Sequence, residues 1–409
     1  MPTLTFLQLS DLHLDSSLRS GRLALPEHKA RIRREELRQI LPQAARLVRE
    51  QSVRLVLIPG DLFDDEAVTQ DTVNFVIHHL ASMAPAQVVI APGNHDFLSL
   101  GSPYDDGLLA SRQQGRWPLN VHIMRDGAWS THSPADLPDV TVTGMAHAAN
   151  APLTQRLLAA RIPRPAGAED PGRIHLLLFH GSRDHVRVPE GKMRTLPFSE
   201  AELAAQGFDY AAVGHYHDHS LLHADDGRLL GAYAGCPAGR GLDEQGDRHV
   251  LLGRIDKSRG TARVVIEPVR LDTRAVRAVE VSCAGATHRE AILARMEEAL
   301  AKAGARDGDI VHIAFTGRVS PGIDIRLPAG TLEDRFFHVV MDLSGVRPAY
   351  DLDAYRDEAL RTTEARFVRE LMGKIQAETD GGRRRVLENA LQYGLDALIQ
   401  RDVAPRYED

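Results

Sequence analysis

The sequence predicts an α/β (α+β) chain: a large N-terminal domain built on two sheets, then a small α+β domain and a helical tail. Three observations carry this. Short apolar runs recur between residues 4 and 213, and helical stretches separate the first three, as in right-handed crossovers of a parallel sheet. Helix density then falls, which points to a second sheet of mixed or antiparallel pairing. Beyond residue 270 the pattern changes again, to one helix among strands and then to helix alone.

Taken in order, residues 3–10 read as a buried strand. Residues 27–50 read as a helix with an apolar stripe through Leu37, Ile40, Leu41, Ala44 and Val48, kinked or split by Pro42. Strands at 54–58 and 87–91 bracket a second helix at 69–84. Residues 101–146 are less regular, with strand-like pieces at 121–124 and 140–143, and 163–171 is a Pro- and Gly-rich surface loop. Strands recur at 174–179, 210–213, 229–233, 249–255 and 262–269, completing a domain over 1–270. In 271–348, a strand at 276–281 precedes a capping-box pattern, Thr287-His-Arg-Glu290, that opens a helix closed by Gly304. Two strands follow, at 310–315 and 336–342. The tail, 349–409, carries one stripe through Phe367, Val368, Leu371, Met372 and Ile375. A second runs through Leu387, Leu391, Leu395 and Leu398, and Gly381-Gly382 between them predicts a helical hairpin.

Composition narrows the class. At 409 residues, 43% hydrophobic and 26% charged, the chain has the make-up of a soluble globular protein with room for two or three domains. Cys236 and Cys283 are its only cysteines, which excludes a disulfide framework and a cysteine zinc site. No apolar run has signal-peptide or membrane-spanning character, so a cytoplasmic location without membrane contact is expected. The net charge of −7 gives no general attraction to nucleic acid, though local basic patches and bound cations add to such a tally.

Five of the apolar runs end in the same way. After them come Asp11-Leu-His13, Gly60-Asp61, Gly93-Asn94-His95-Asp96, His180-Gly181 and Gly214-His215-Tyr216-His217. Asp-x-His or His-Gly alone is a weak signal; Gly-His-x-His and Gly-Asn-His-Asp are more specific, though the latter also reads as a polar turn capped by its aspartate. Five in series, each at a strand end, describe converging metal ligands. Asp, Asn and His together suit Mn²⁺, Fe²⁺ or Zn²⁺ better than Ca²⁺ or Mg²⁺. One bridging carboxylate and three further ligands per ion make a two-metal centre for phosphate esters. Asp11 and His13, two apart, would project to one side of an extended strand. The glycines before the ligands would let the backbone turn sharply or let a metal approach.

The ordered set resembles the calcineurin-like metallophosphoesterase superfamily over about residues 3–270. Within it, Leu-Gln-Leu-Ser-Asp-Leu-His-Leu-Asp and Ile-Pro-Gly-Asp-Leu-Phe-Asp are similar to the Mre11/SbcD group of DNA-repair nucleases. The stretch from Tyr233 through Cys236 to Arg240 is similar to that group's YhaO-type bacterial branch. The resemblance implies a two-sheet sandwich flanked by helices, a capping domain at 271–348 and a partner-binding tail at 349–409. It implies that Asp11, His13 and His217 hold one metal, that Asn94, His180 and His215 hold the other, and that Asp61 bridges. His95 would face the substrate phosphate, with Asp96 orienting it; a simple turn cap is the other reading of Asp96. One departure stands out: Asp64 occupies the position of the histidine that the nuclease group carries three residues after the bridging aspartate. A carboxylate there repels a phosphate unless it is paired or protonated.

Arg183 and Arg187, with Lys192 and Arg194, follow His180 and are the better phosphate-binding candidates; Arg31, Arg33 and Arg34 on the first helix are a second group. The implied function is Mn²⁺-dependent phosphodiester hydrolysis of DNA in repair, with an ATPase subunit of the Rad50/SbcC kind as a partner on the tail and a homodimer as the group's common state. Two rivals stay open: a phosphoesterase for small substrates, and a DNA-end-binding subunit with little catalysis, which Asp64 favours.

Overall fold

The computed structural model describes residues 2–403 apart from 17, 19–22, 24, 65–67, 112–115, 150–152, 165–169, 171, 187–193, 258–260, 321–322, 324, 326–331 and 402. It divides into two compact units, Met1–Arg277 with Gly308–Ile310, and Ala278–Asp307 with Val311–Asp409.

The first unit runs β1 (Thr3–Gln8), α1 (Glu27–Arg38), α2 (Ile40–Glu50), β2 (Leu55–Ile58), α3 (Gln70–Ala81), β3 (Gln87–Ile90), α4 (Asp106–Ser111), β4 (Val121–Ile123), β5 (Ser130–His132) and β6 (Val140–Gly144). It continues with β7 (Ile174–His180), α5 (Glu200–Gln206), β8 (Tyr210–Gly214), β9 (Ser220–His223), β10 (Leu229–Tyr233), β11 (Val250–Asp256) and β12 (Arg263–Val269). Its strands form two six-stranded sheets, ordered β12-β11-β1-β2-β3-β4 and β5-β6-β7-β8-β10-β9.

Both sheets are mixed. β1 to β4 are parallel, as are β6, β7, β8 and β10, while β11, β12, β5 and β9 pair antiparallel at the margins. The late strands β11 and β12 therefore belong to the first sheet rather than to the second, where their place in the sequence put them. The reason is long range: Thr3–Gln8 pairs with Leu251–Asp256, and nothing local to either strand announces that partner.

Alternation along the strands builds three layers of core. Leu4, Phe6, Leu55, Leu57 and Val89 meet Val142, Leu176, Leu178, Tyr210 and Ala212 between the sheets. The intervening residues Leu7, Val56, Ile58 and Val88 face Leu37, Leu41, Ala44, Val48, Val76 and Leu80 of the helices. On the far side Leu177, Phe179, Ala211 and Val213 pack on Phe198, Leu203 and Phe208. Strands covered on both faces must be apolar throughout, which is why β2 reads Leu-Val-Leu-Ile. Gln8 in β1 is a polar exception and is fully buried. Its amide donates to the Ala232 carbonyl at 2.9 Å and accepts from Tyr210 Oη at 2.6 Å, so it joins the two sheets without an orphaned group.

The helix expected over 27–50 is two helices that meet at Gln39. Pro42 sits in the first turn of α2, where its missing N–H costs no helical hydrogen bond.

The second unit holds most of β13 (Val276–Ser282), then α6 (Arg289–Lys302), β14 (Ile310–Val319), β15 (His338–Pro348), α7 (Thr363–Ala377) and α8 (Gly381–Leu395), with β13-β14-β15 forming a three-stranded sheet. The cap of α6 differs from the expected box: His288, not Thr287, takes the N-cap position, its Nδ1 accepting the Ala291 N–H at 3.1 Å. In the tail, Val368 and Ile375 pack against Leu391 and Leu395, so the two stripes largely cover each other. Among the described residues no helix is long and apolar enough to cross a membrane.

Candidate metal centre

The parallel strands of both sheets deliver the site. β1, β2 and β3 of one sheet and β7 and β8 of the other end beside one another, and the residues after each end meet there. Asp11 and His13 arrive differently from the strand alternation expected of them. β1 stops at Gln8, and Asp11, His13 and Asp61 all adopt left-handed backbone, at φ 54°, 45° and 51°. Such φ values are costly for residues with a Cβ and persist where surrounding bonds over-determine them. Here Asp11 N donates to Gly60 O at 3.2 Å and His13 N to Asp61 O at 3.0 Å, lacing the two loops together. His215, at φ 112°, is held by Asp11, whose Oδ1 accepts its N–H at 3.1 Å.

These turns bring ligand atoms within reach of one another. Asp11, His13 and His217 form one group whose ligand atoms all lie within 4.8 Å of each other; Asp11, Asp61 and His180 form another. Asp61 Oδ2 lies 3.6 Å from His13 Nε2 and 3.3 Å from His180 Nε2. The His180 and His215 rings are 5.2 Å apart, as are those of His13 and His217. The structure thus gathers Asp11, His13, Asp61, Asn94, His180, His215 and His217 about one point.

The donor set fits divalent cations. His180 Nδ1 lies 2.9 Å from the Pro59 carbonyl, which can only accept, so the proton is on Nδ1 and Nε2 carries a lone pair. That lone pair faces Asn94 Oδ1 at 2.9 Å and Asp61 Oδ2 at 3.3 Å. His13 Nε2 is buried and has no hydrogen-bond partner. Burial, then the charges of Asp96 and Asp11, push the Asp61 carboxyl well above the usual carboxylate range. Burial also raises Asp11 and holds the His13 and His180 imidazoles well below their ordinary value, hence neutral. Buried carboxylates beside neutral imidazoles are what a cation resolves. Glycine makes the approach possible: a Cβ on Gly93 would strike the Asp61 carboxylate, and one on Gly60 would lie 2.7 Å from His180 Nδ1.

Asp96 takes its other reading, the turn cap, rather than the orienting role. Asp96 is buried, and its carboxylate accepts the backbone N–H groups of Gly93 at 2.6 Å, Asp61 at 3.1 Å and Leu62 at 2.8 Å, and the Tyr104 hydroxyl at 2.7 Å. Those bonds tie the Gly-Asp and Gly-Asn-His-Asp turns together and leave the His95 ring alone. Asp64 stands by His95 instead, its Oδ1 lying 3.3 Å from His95 Nδ1 and 3.8 Å from His13 Nδ1. Burial pushes the Asp64 carboxyl up, but the two imidazoles outweigh it and hold the acid below its usual range. The carboxylate in the place of the family histidine therefore lies against the His95 and His13 rings.

The basic residues are more dispersed. Arg183 lies beside the site, its carbonyl accepting from Tyr216 Oη at 3.2 Å, but its guanidinium pairs with Glu200 at 3.4 Å. Arg194 pairs with Asp184 at 3.6 Å. Arg187 and Lys192 lie outside the described residues. Arg33 is fully buried and forks onto Asp272, both bonds at 2.7 Å, which removes it from any phosphate-binding surface. Sequence reasoning passed over Glu244, which is buried and accepts His217 Nδ1–H at 2.7 Å. It lies beyond the ligand series and carries no motif; its only signal was proximity to the stretch around Arg240.

A model of the calcineurin-like phosphoesterase family matches residues 4–219. The chain is 28% identical over 258 residues to the uncharacterized metallophosphoesterase YhaO of Bacillus subtilis (strain 168), a match covering 62% of this chain and 57% of that protein's length. Among solved structures, TT1561 of Thermus thermophilus is 11% identical with a TM-score of 0.35, covering 64% of this chain and 99% of that one. A dimetal phosphatase from Danio rerio is 13% identical with a TM-score of 0.35, covering 66% and 98%. The family match spans residues Asp11 to His217 and more than half the chain, which belongs to the calcineurin-like phosphoesterases.

Proposed function

We propose that this chain is a Mn²⁺-dependent phosphodiesterase of the Mre11/SbcD nuclease type that cleaves DNA in repair. Asp11, His13 and His217 hold one ion, Asn94, His180 and His215 the other, with Asp61 between them. The observation that carries the proposal is Asp61, whose single oxygen Oδ2 lies between His13 Nε2 at 3.6 Å and His180 Nε2 at 3.3 Å. Bound divalent ions supply Lewis acidity at a phosphoryl oxygen and a water acidic enough to ionise near neutral pH.

The chain's own residues do the rest. His95 is 38% exposed at the open side of the cluster, next to His13 with ring centroids 4.7 Å apart. Asp64 lies 3.3 Å from its Nδ1, a carboxylate beside the ring, and His95 hands a proton to the leaving oxygen. Asp96 fixes the turn on which His95 rides. The proposal extends to an ATPase subunit docking on the tail, supported by Val386 and Ile399, which the hairpin leaves 63% and 40% exposed.

A specific observation favours a second reading, a phosphoesterase for small esters: Arg183 and Arg194 are already paired with acids. Assays with Mn²⁺ on linear and hairpin DNA beside bis(p-nitrophenyl) phosphate separate the two. Cleavage of DNA is the expected result, and turnover of the small ester alone sinks the nuclease proposal.

A further inference from the structure

We infer that Glu244 is a positioning residue for His217, and that Arg240 locks it in that role, so that the loop from Gly235 to Arg248 sets the affinity of one of the two cation positions. This rests on the two-metal reading above.

His217 is held at both ends. On the ring, Glu244 Oε1 accepts Nδ1–H at 2.7 Å, which fixes the tautomer and leaves Nε2 as the lone pair for an ion. His180 is prepared in the same way by the Pro59 carbonyl. On the backbone, the His217 carbonyl accepts from Cys236 N at 3.0 Å and from Arg248 Nη1. Arg248 also reaches Asp218 Oδ1 at 2.8 Å and the Glu244 carbonyl at 3.2 Å. Gly235, at φ 76°, has no room for a Cβ, which would strike the His217 carbonyl.

Glu244 is in turn immobilised. Its Oε2 accepts the Arg240 backbone N–H at 2.7 Å and Arg240 Nε at 3.2 Å, while Arg240 Nη2 donates to Oε1. With His217 and Arg240 filling both oxygens, Glu244 is committed, so its cluster with His217 and Cys236 is not a third cation site. The next link is Gly239, whose carbonyl accepts from Arg33 Nη2 at 2.7 Å. Arg33 is anchored on Asp272, and Gly239 N donates to the same carboxylate at 3.3 Å. A connected path thus runs from Asp272 through Arg33, the Gly239–Arg240 backbone and Glu244 to the ring of His217. Buried ion pairs stabilise no better than apolar packing of equal volume. What this one supplies is a fixed imidazole.

The test is a calorimetric Mn²⁺ titration of the metal-free full chain, with circular dichroism reporting the fold, on wild type, Glu244→Gln, Arg240→Lys and Asp11→Asn. Wild type is expected to bind two ions. In Glu244→Gln one affinity falls about 10- to 100-fold, the usual cost of losing such a partner, while the other stays unchanged. Placed on Asp11→Asn, the Gln substitution adds no loss at the remaining ion, because both changes act on one position. Arg240→Lys keeps the countercharge but gives up the fork, and reads the same link by a smaller loss at the same ion should Glu244→Gln fold poorly. Unchanged affinities in both variants, or equal losses at both ions, overturn the inference. A wild type that binds no Mn²⁺ overturns the two-metal reading itself.

Discussion

Two aspartates show how position in the chain and position in the molecule diverge. Asp96 adjoins His95 in sequence, yet its carboxylate turns away to collect four backbone N–H groups and the Tyr104 hydroxyl. Asp64 lies far earlier in the chain than His95 and reaches its ring. The two should separate cleanly on substitution. Asp64→Asn is expected to lower kcat on a phosphodiester about 10²-fold with little change in KM, since it weakens a proton-transfer group rather than a binding contact. Asp96→Ala is expected to cost on the order of 3 kcal/mol in urea unfolding, because it orphans several buried donors at once. A stable Asp96→Ala protein with a selectively reduced kcat would return the orienting role to Asp96. The ligand residues were legible because metal chemistry restricts residue type and the motifs keep them at strand ends. Asp64, Arg33 and Glu244 were not, since their partners are set by loop geometry across the fold.

At the scale of elements, the strands and most helices were legible from periodicity, which sufficed because each face of β1, β2 and β3 has a layer to fill. Sheet membership was not, as β11 and β12 show, because pairing between the two ends of the domain leaves no local mark. The loops after the strands carry the strain and the close approaches. Gly93→Ala is expected to abolish Mn²⁺ binding in the same calorimetric titration, since the new methyl meets both the Asp61 carboxylate and its backbone. At the sheet margins, edge strands β4 and β5 stack His122 on His132, with ring centroids 3.6 Å apart. Burial lowers both imidazoles, Arg125 adding to the effect on His122 and His122 to that on His132, which falls from 6.5 to about 4. The unfolded chain therefore takes up protons that the folded chain refuses. Stability from this pair is complete above pH 6.5 and is lost as pH falls towards 4. Thermal melts across that range should show the loss, and His132→Gln should reduce it.

For the molecule as a whole, the metal-bearing unit and the unit carrying the tail answer to different physics. The first is held by two sheets whose strand ends form a cluster of buried carboxylates and neutral imidazoles, a poor arrangement without cations and a good one with them. Chelation is thus expected to remove activity and lower the melting temperature together, and Mn²⁺ at about a hundred times its dissociation constant to restore about 2.7 kcal/mol for each ion bound. The second unit packs its tail stripes on each other, which covers much of the apolar surface that the tail presents in sequence. The central claim stands on Asp61 lying between two ligand groups. Native mass spectrometry of the Mn²⁺-loaded chain tests it most directly, comparing wild type with Asp61→Ala. Two ions in wild type and none retained in Asp61→Ala is the expected result; a single ion in wild type, or two ions still held by Asp61→Ala, would contradict it.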